Sequence, residues 1–259
     1  MKLDVNWDNY RAQVKEANLS EALKDALLAY LDELAALPLQ PNTINPGYMS
    51  LCIWWLVDEV CAKETPETFC WEIYLDLSKK WAADRGEIGQ NAVAAIEVLT
   101  PLLAAHFNND DSIITLKEIT GNTVYYVLFL SDTLSEPKKY YVAPNANSLA
   151  EATFSKNAWY RAIYAGNALV GFVMLHMDKK AGKYMVWRLM IGEPFHSRGY
   201  GRKAMEAVIE YVRGLPNAQE LTLSYGLGPG SPEGFYKKLG FIPTGEEDFG
   251  EVYASLSLK

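Results

Sequence analysis

Residues 184–204 read Tyr-Met-Val-Trp-Arg-Leu-Met-Ile-Gly-Glu-Pro-Phe-His-Ser-Arg-Gly-Tyr-Gly-Arg-Lys-Ala. The first eight are nearly continuously apolar, which predicts a buried strand ending at Ile191. Pro194 turns the chain, and Gly199 and Gly201 open a helix running to about Arg213. Its apolar face is Ala204, Val208, Ile209 and Val212. Glycine lets the backbone approach a ligand closely, and a helix N-terminus offers free N–H groups with a partial positive charge. Arg198, Arg202 and Lys203 add charges that suit phosphate oxygens. The stretch points to a pyrophosphate site, although Gly-Tyr-Gly alone reads equally as a tight strand-to-helix turn. It has neither the GK[ST] of a P-loop nor GxGxxG spacing.

Working outward, the segments on both sides alternate between strand and helix patterns. Ile113–Ile119 alternates in the β manner, and Thr123–Leu130 reads as a helix. Trp159–Ala165 and Ala168–Met177 are strands joined by Gly166-Asn167, a pair suited to a two-residue hairpin turn. Downstream, Leu221–Tyr225 is a strand, Pro232–Leu239 a helix and Glu251–Leu258 a closing strand. Asp248-Phe249-Gly250 spells a kinase triplet, but no HRD or glycine-rich lobe precedes it, so it reads as a turn.

Residues before 112 have a different rhythm. From Trp7 to Leu37 apolar positions recur at helical spacing, until Pro38, Pro41 and Pro46 interrupt them. Tyr48–Val60 is a second helix. Thr65-Pro66 signals the start of a third, running to about Ala83. Ile88–Phe107 is a fourth, which together suggest a small bundle with its tryptophans in the core. His106-Phe-Asn-Asn-Asp110 has HxxxD spacing but reads as a solvated helix end. No chemistry is legible in this half.

Charge divides at the same place. Residues 1–111 carry 8 basic and 18 acidic side chains, against 16 and 14 in residues 112–259, and the whole 259-residue chain has net charge −8. The expected organisation is a helical domain at 1–111 and an α+β domain at 112–259. Apolar residues form 49% of the chain, enough for a folded core. No run approaches the roughly 18 apolar residues of a membrane span, and Met1-Lys2-Leu3-Asp4 lacks a signal-peptide pattern. The acidic balance argues against nucleic acid as a partner. Three cysteines without CxxC spacing read as reduced thiols, so a cytoplasmic location and no metal are expected.

Two motifs carry a family resemblance. His196-Ser-Arg-Gly199-Tyr-Gly201 resembles the acyl-CoA loop Q/R-x-x-G-x-G/A of the GCN5-related N-acetyltransferases (GNAT), with His196 where Gln or Arg is usual. Ser231-Pro-Glu-Gly-Phe-Tyr-Lys-Lys-Leu-Gly-Phe241 is similar to the family's late helix, with Tyr236, Gly240 and Phe241 in the Tyr-x-x-x-Gly-Phe positions. The resemblance covers residues 112–259 and implies a mixed, mostly antiparallel sheet flanked by helices. It also implies acetyl-CoA as co-substrate. The N–H groups of Ser197 to Arg202 would hold the pyrophosphate, and Leu189, Met190 and Ile191 would pair with the pantetheine arm. The implied cofactor-binding set is these three with His196, Ser197, Arg198, Gly199, Tyr200, Gly201, Arg202 and Ser231.

For catalysis the resemblance places Tyr236 as the acid for the departing thiolate, with a phenol pKa near ~10. Related polyamine enzymes carry a Glu on the fourth strand where this chain has Trp187 or Arg188. Glu151 and Glu193 are therefore the nearest carboxylates to serve the amine, and Glu151 lies in the segment expected to cover the acceptor. His196 is expected to order the loop, and His176 is a weaker base candidate. The runs Tyr140–Ala152, Trp187–Ile191 and Phe249–Val252 are similar to a bacterial diamine or spermine/spermidine acetyltransferase branch. The expected activity is acetyl transfer to a small-molecule amine such as a polyamine, with a homodimer as one expected assembly. Two other readings stay open: acetylation of a protein lysine or N-terminus targeted by the helical domain, and a non-catalytic CoA sensor.

Overall fold

The computed structural model describes residues 5–37 and 46–259. They fall into two compact units that divide between Asp110 and Asp111. In the first, the described residues make five helices: α1 (Trp7–Glu16), α2 (Glu21–Ala36), α3 (Pro46–Val60), α4 (Trp71–Ala83) and α5 (Glu87–Phe107). The helix expected over Trp7–Leu37 is broken in two. Ala17 turns extended after α1, and the Ser20 hydroxyl oxygen accepts the Leu23 N–H at 3.3 Å to start α2.

α4 begins at Trp71 rather than at the Thr65-Pro66 signal. The Glu59 carboxylate accepts the Cys70 N–H at 2.9 Å and the Trp71 N–H at 3.2 Å, supplying from another helix the cap that Cys70 does not. Trp71 and Trp81 are core residues, whereas Trp54 is 42% exposed, so the tryptophans are not all in the core. Asn108 closes α5 in a left-handed conformation, and the HxxxD spacing falls across that helix end. Pro38 and Pro41 lie outside the described residues. Among the described residues, no helix is long and apolar enough to cross a membrane.

The second unit has the expected α+β class. Its elements are β1 (Ile114–Lys117), α6 (Val124–Thr133), α7 (Glu136–Lys139), α8 (Asn145–Thr153), β2 (Ala158–Ala165), β3 (Ala168–Asp178), β4 (Lys183–Ile191), α9 (Tyr200–Arg213), β5 (Glu220–Gly226), α10 (Glu233–Lys238), β6 (Ile242–Asp248) and β7 (Glu251–Ser257). β6, which the sequence patterns do not signal, is exposed along its whole length and so lacks alternation. The sheet order is β1-β2-β3-β4-β5-β7-β6. Every pairing is antiparallel except β4 with β5.

Two features of β4 position the site. Opposite β3, Val186 pairs with Leu175 and Arg188 with Met174, which leaves Trp187 as the extra residue of a β-bulge. Opposite β5, β4 pairs only at Met185–Thr222 and Val186–Leu223. Beyond those pairs the two parallel strands part, and the rest of β4 faces a gap at their C-terminal ends. That is where α/β sheets receive ligands. α9 crosses between the strands, burying Tyr200, Ala204, Met205, Val208, Ile209 and Val212. Asp111 goes with this unit, and its carboxylate accepts a hydrogen bond from the Tyr200 hydroxyl.

Candidate active site

The gap between β4 and β5 opens into two cavities that share Tyr141, Val142, Leu189, Pro232 and Tyr236. The larger, about 510 Å³, runs from Leu189, Met190 and Ile191 to the loop that starts α9. Its wall includes His196, Ser197, Gly199, Tyr200, Gly201 and Arg202, so ten of the expected residues, Tyr236 among them, surround one space. Lys138, Phe195 and Phe235, none of them among the expected site residues, also line it.

The loop suits an anion. Ser197 (φ +63°) and Gly199 (φ +81°) are both left-handed, the alternation that turns successive N–H groups toward one side. No side chain caps the first N–H groups of α9, those of Tyr200, Gly201 and Arg202. A Cβ on Gly201 would stand 3.6 Å from Ile191 and 3.7 Å from Phe235, so this glycine matters for what approaches its backbone rather than for its own fit. Together these are the features that fit a pyrophosphate.

His196 braces the loop. Its Nε2–H donates to the Ile191 carbonyl at 2.8 Å, leaving Nδ1 to accept from the Lys138 ammonium at 2.9 Å. Lys138 also pairs with Glu193, which accepts the Ser135 N–H at 3.0 Å. Burial works to raise the Glu193 carboxyl, but Lys138, Ser135 and His196 together hold it below the usual carboxylate value. Glu193 is thus committed to holding α7 against the loop. Arg198 lies over the Phe195 ring at 5.6 Å, and the Ser231 hydroxyl donates to the Gly226 carbonyl at 2.6 Å while accepting the Glu233 N–H. Neither Arg198 nor Ser231 lines the large cavity.

The smaller cavity, about 200 Å³, is more polar and is lined by Tyr140, Trp187, Arg188, Ser224, Tyr225 and Glu251 beside the shared residues. Glu251 opens β7 opposite Gly226 at the end of β5, and its carboxylate accepts the Ser224 hydroxyl at 2.5 Å. Arg188 donates to the Glu151 carboxylate at 3.2 Å and to the Trp187 carbonyl at 2.8 Å. Glu151 itself is exposed on α8 and lines neither cavity, so it reaches this space only through Arg188. His176 sits away from both, near Asn157 and edge-on to Trp187.

Tyr236 stands where the cavities join, stacked on Tyr225 at 5.8 Å. Burial, and then the Glu251 charge, push its phenol up to about 12 rather than the ordinary value expected from the sequence. The group is protonated throughout the neutral range and is therefore able to donate a hydrogen bond. Glu251, Tyr225 and Ser224 are the residues that sequence reasoning missed. They fall on separate strands, and only their packing against the Tyr236 motif brings them together.

Residues 125–241 match the model of the Acetyltransferase (GNAT) family. The second unit therefore carries a GNAT acetyltransferase domain, an acyl-CoA-dependent N-acetyltransferase of the EC 2.3.1 class. Similar solved structures include an acetyltransferase from Thermus thermophilus, 19% identical, covering 56% of this chain and 96% of that one, with a TM-score of 0.44. PaiA N-acetyltransferase from Thermoplasma acidophilum in complex with coenzyme A is 15% identical, covering 56% and 99%, with a TM-score of 0.43. The ribosomal-protein-S18-alanine N-acetyltransferase from Escherichia coli is 11% identical, covering 57% and 95%, with a TM-score of 0.44. No curated protein matches the chain.

Proposed function

We propose that residues 112–259 form the transferase domain and move the acetyl group of acetyl-CoA to the primary amine of a small molecule. Residues 1–111 form a separate helical domain. The observation that carries the reading is the meeting of an anion-suited, largely apolar cavity with a small polar one at a single protonated tyrosine.

The N–H groups of Tyr200, Gly201 and Arg202 hold the pyrophosphate, and the open edge of Leu189–Ile191 offers amide groups to the pantetheine arm. His196 and Lys138 keep that loop in place. Acetyl-CoA supplies an activated acyl thioester whose departing sulfur needs a proton or a donor. Tyr236 answers that need by donating its hydrogen bond at the junction. Full transfer from a phenol near 12 to a thiolate of pKa ~8.5 is uphill by about 5 kcal/mol, so donation without complete transfer is the main contribution. A cation beside Glu251 offsets the charge that raises Tyr236 and makes it a better acid when an amine is bound.

Glu151 acts as a positioning residue, holding Arg188 at the wall of the smaller cavity. A polyamine terminus is one acceptor that this space admits. CoA release measured across diamines, polyamines, aminoglycosides and amino acids tests the proposal. Turnover with at least one small amine is expected, and tight CoA binding with no turnover on any amine would overturn it.

A further inference from the structure

Among the described residues, two buried polar atoms of side chains at the smaller cavity have no hydrogen-bond partner: the Tyr225 hydroxyl and Arg188 Nε. Tyr225 is 3% exposed, so its hydroxyl has little access to bulk water. Leaving such a group unpaired costs more than a paired one gains, so native proteins rarely keep two in one place without a use. Both residues line the cavity, and so does the Glu251 carboxylate. Arg188 Nε can only donate, the Tyr225 hydroxyl can donate or accept, and the carboxylate can only accept. The residues around the cavity thus include an unpaired donor on β4 and possible acceptors on β5 and β7.

We infer that this cavity recognises an amine carrying a carbonyl or carboxylate oxygen a few bonds from its nitrogen, as an amino acid or its amide does. The nitrogen lies toward Glu251 and Tyr225, where a cationic form meets a carboxylate. Tyr236 is next to it, so the same nitrogen is at the junction with the larger cavity. The oxygen lies toward Arg188, whose other two nitrogens are already held by Glu151 and the Trp187 carbonyl. Those two bonds fix the guanidinium and leave Nε for a ligand. The volume of about 200 Å³ holds about seven water-sized groups, a match for a compact amino acid and for one end of a longer molecule.

A plain alkylamine of the same length satisfies the carboxylate and leaves Arg188 Nε unpaired. Sites built to bond a polar group reject analogues that lack it. This inference rests on the acetyl-transfer reading and narrows its acceptor.

The test compares amino acids and their amides with alkylamines and diamines of matched length. It reads kcat/KM together with calorimetric binding to the CoA-loaded full chain. The wild type is expected to prefer the oxygen-bearing amine by about tenfold or more. Arg188→Met should abolish that preference, and Glu251→Gln should raise KM for both amine classes. Arg188 has structural bonds, so Tyr225→Phe provides a second arm that removes only an unpaired hydroxyl. It should leave the melting temperature of the free protein equal or higher, yet weaken binding of the amine. Equal rates on alkylamines and their oxygen-bearing partners, or a preference that survives Arg188→Met, overturns the inference. The same result follows if Tyr225→Phe binds amines like the wild type. If no amine of either class turns over, the acetyl-transfer reading itself has failed, a distinguishable result.

Discussion

On one side of Tyr236 the wall is Leu189, Met190, Ile191 and a loop whose contribution is mostly backbone N–H. On the other it is Tyr225, Ser224, Arg188 and Glu251, whose contributions are side-chain atoms. The first cavity comes from one continuous run of about a dozen residues plus a few packing partners. The second is drawn from β4, β5, β7 and the segment around Tyr140. A backbone site tolerates change in side chains and suits a ligand shared by many proteins. A side-chain site can be retuned one residue at a time, and suits whichever ligand distinguishes one protein from another.

The largest expected effect falls at the junction. Tyr236→Phe should lower kcat by about 10²- to 10³-fold while calorimetry shows CoA binding unchanged. Because the wild-type phenol sits near 12, no alkaline loss of rate from this group should appear below pH 10. Equal kcat in the variant would mean that the two cavities do not meet at a working donor.

Next come the two glycines, which separate ligand approach from backbone conformation. Gly201→Ala places a methyl in ordinary contact with Ile191 and Phe235, so the free protein should be up to about 1 kcal/mol more stable from helix propensity alone. CoA affinity should nonetheless fall by about tenfold, through the loss of a close backbone approach. Gly199→Ala should do the reverse for stability, costing about 1 kcal/mol at φ +81° with open space around it. Thermal melts with and without CoA read both variants.

The smallest effect concerns the brace. The carboxyl of Glu193 is held below its ordinary value, so its contribution is present above the unfolded pKa of about 4.5. It is lost as pH falls through the folded value. Glu193→Gln should flatten the acid side of the stability profile by less than about 1 kcal/mol and leave the neutral kcat on small amines unaltered.

The same contrast governs how much was readable in the sequence. The loop from Ile191 to Arg202 announces itself because glycine, proline and the apolar strand leave local signatures, and helix α9 follows with regular spacing. Glu251 has no such mark, since a carboxylate at the start of a strand looks like any solvated charge until Ser224 and Tyr225 are folded beside it. β6 was hidden for a related reason, because a strand exposed on every residue has no alternation. In the first unit, Glu59 moved the start of α4 from Pro66 to Trp71. A cap that comes from another helix leaves no trace in the neighbouring residues.

The parting of β4 from β5 gives the sheet a third edge. An unpaired strand at the rim of a sheet is a place where another chain can add on, and proteins usually cover or charge it. Here five residues, Trp187 to Ile191, face the gap inside the fold, a run of roughly 16 Å at about 3.3 Å per residue. That length works as a ruler. A chain bearing amide groups that lay along the edge would be stopped at the His196 end, and its far tip would lie toward Leu189, which shares both cavities with Tyr236.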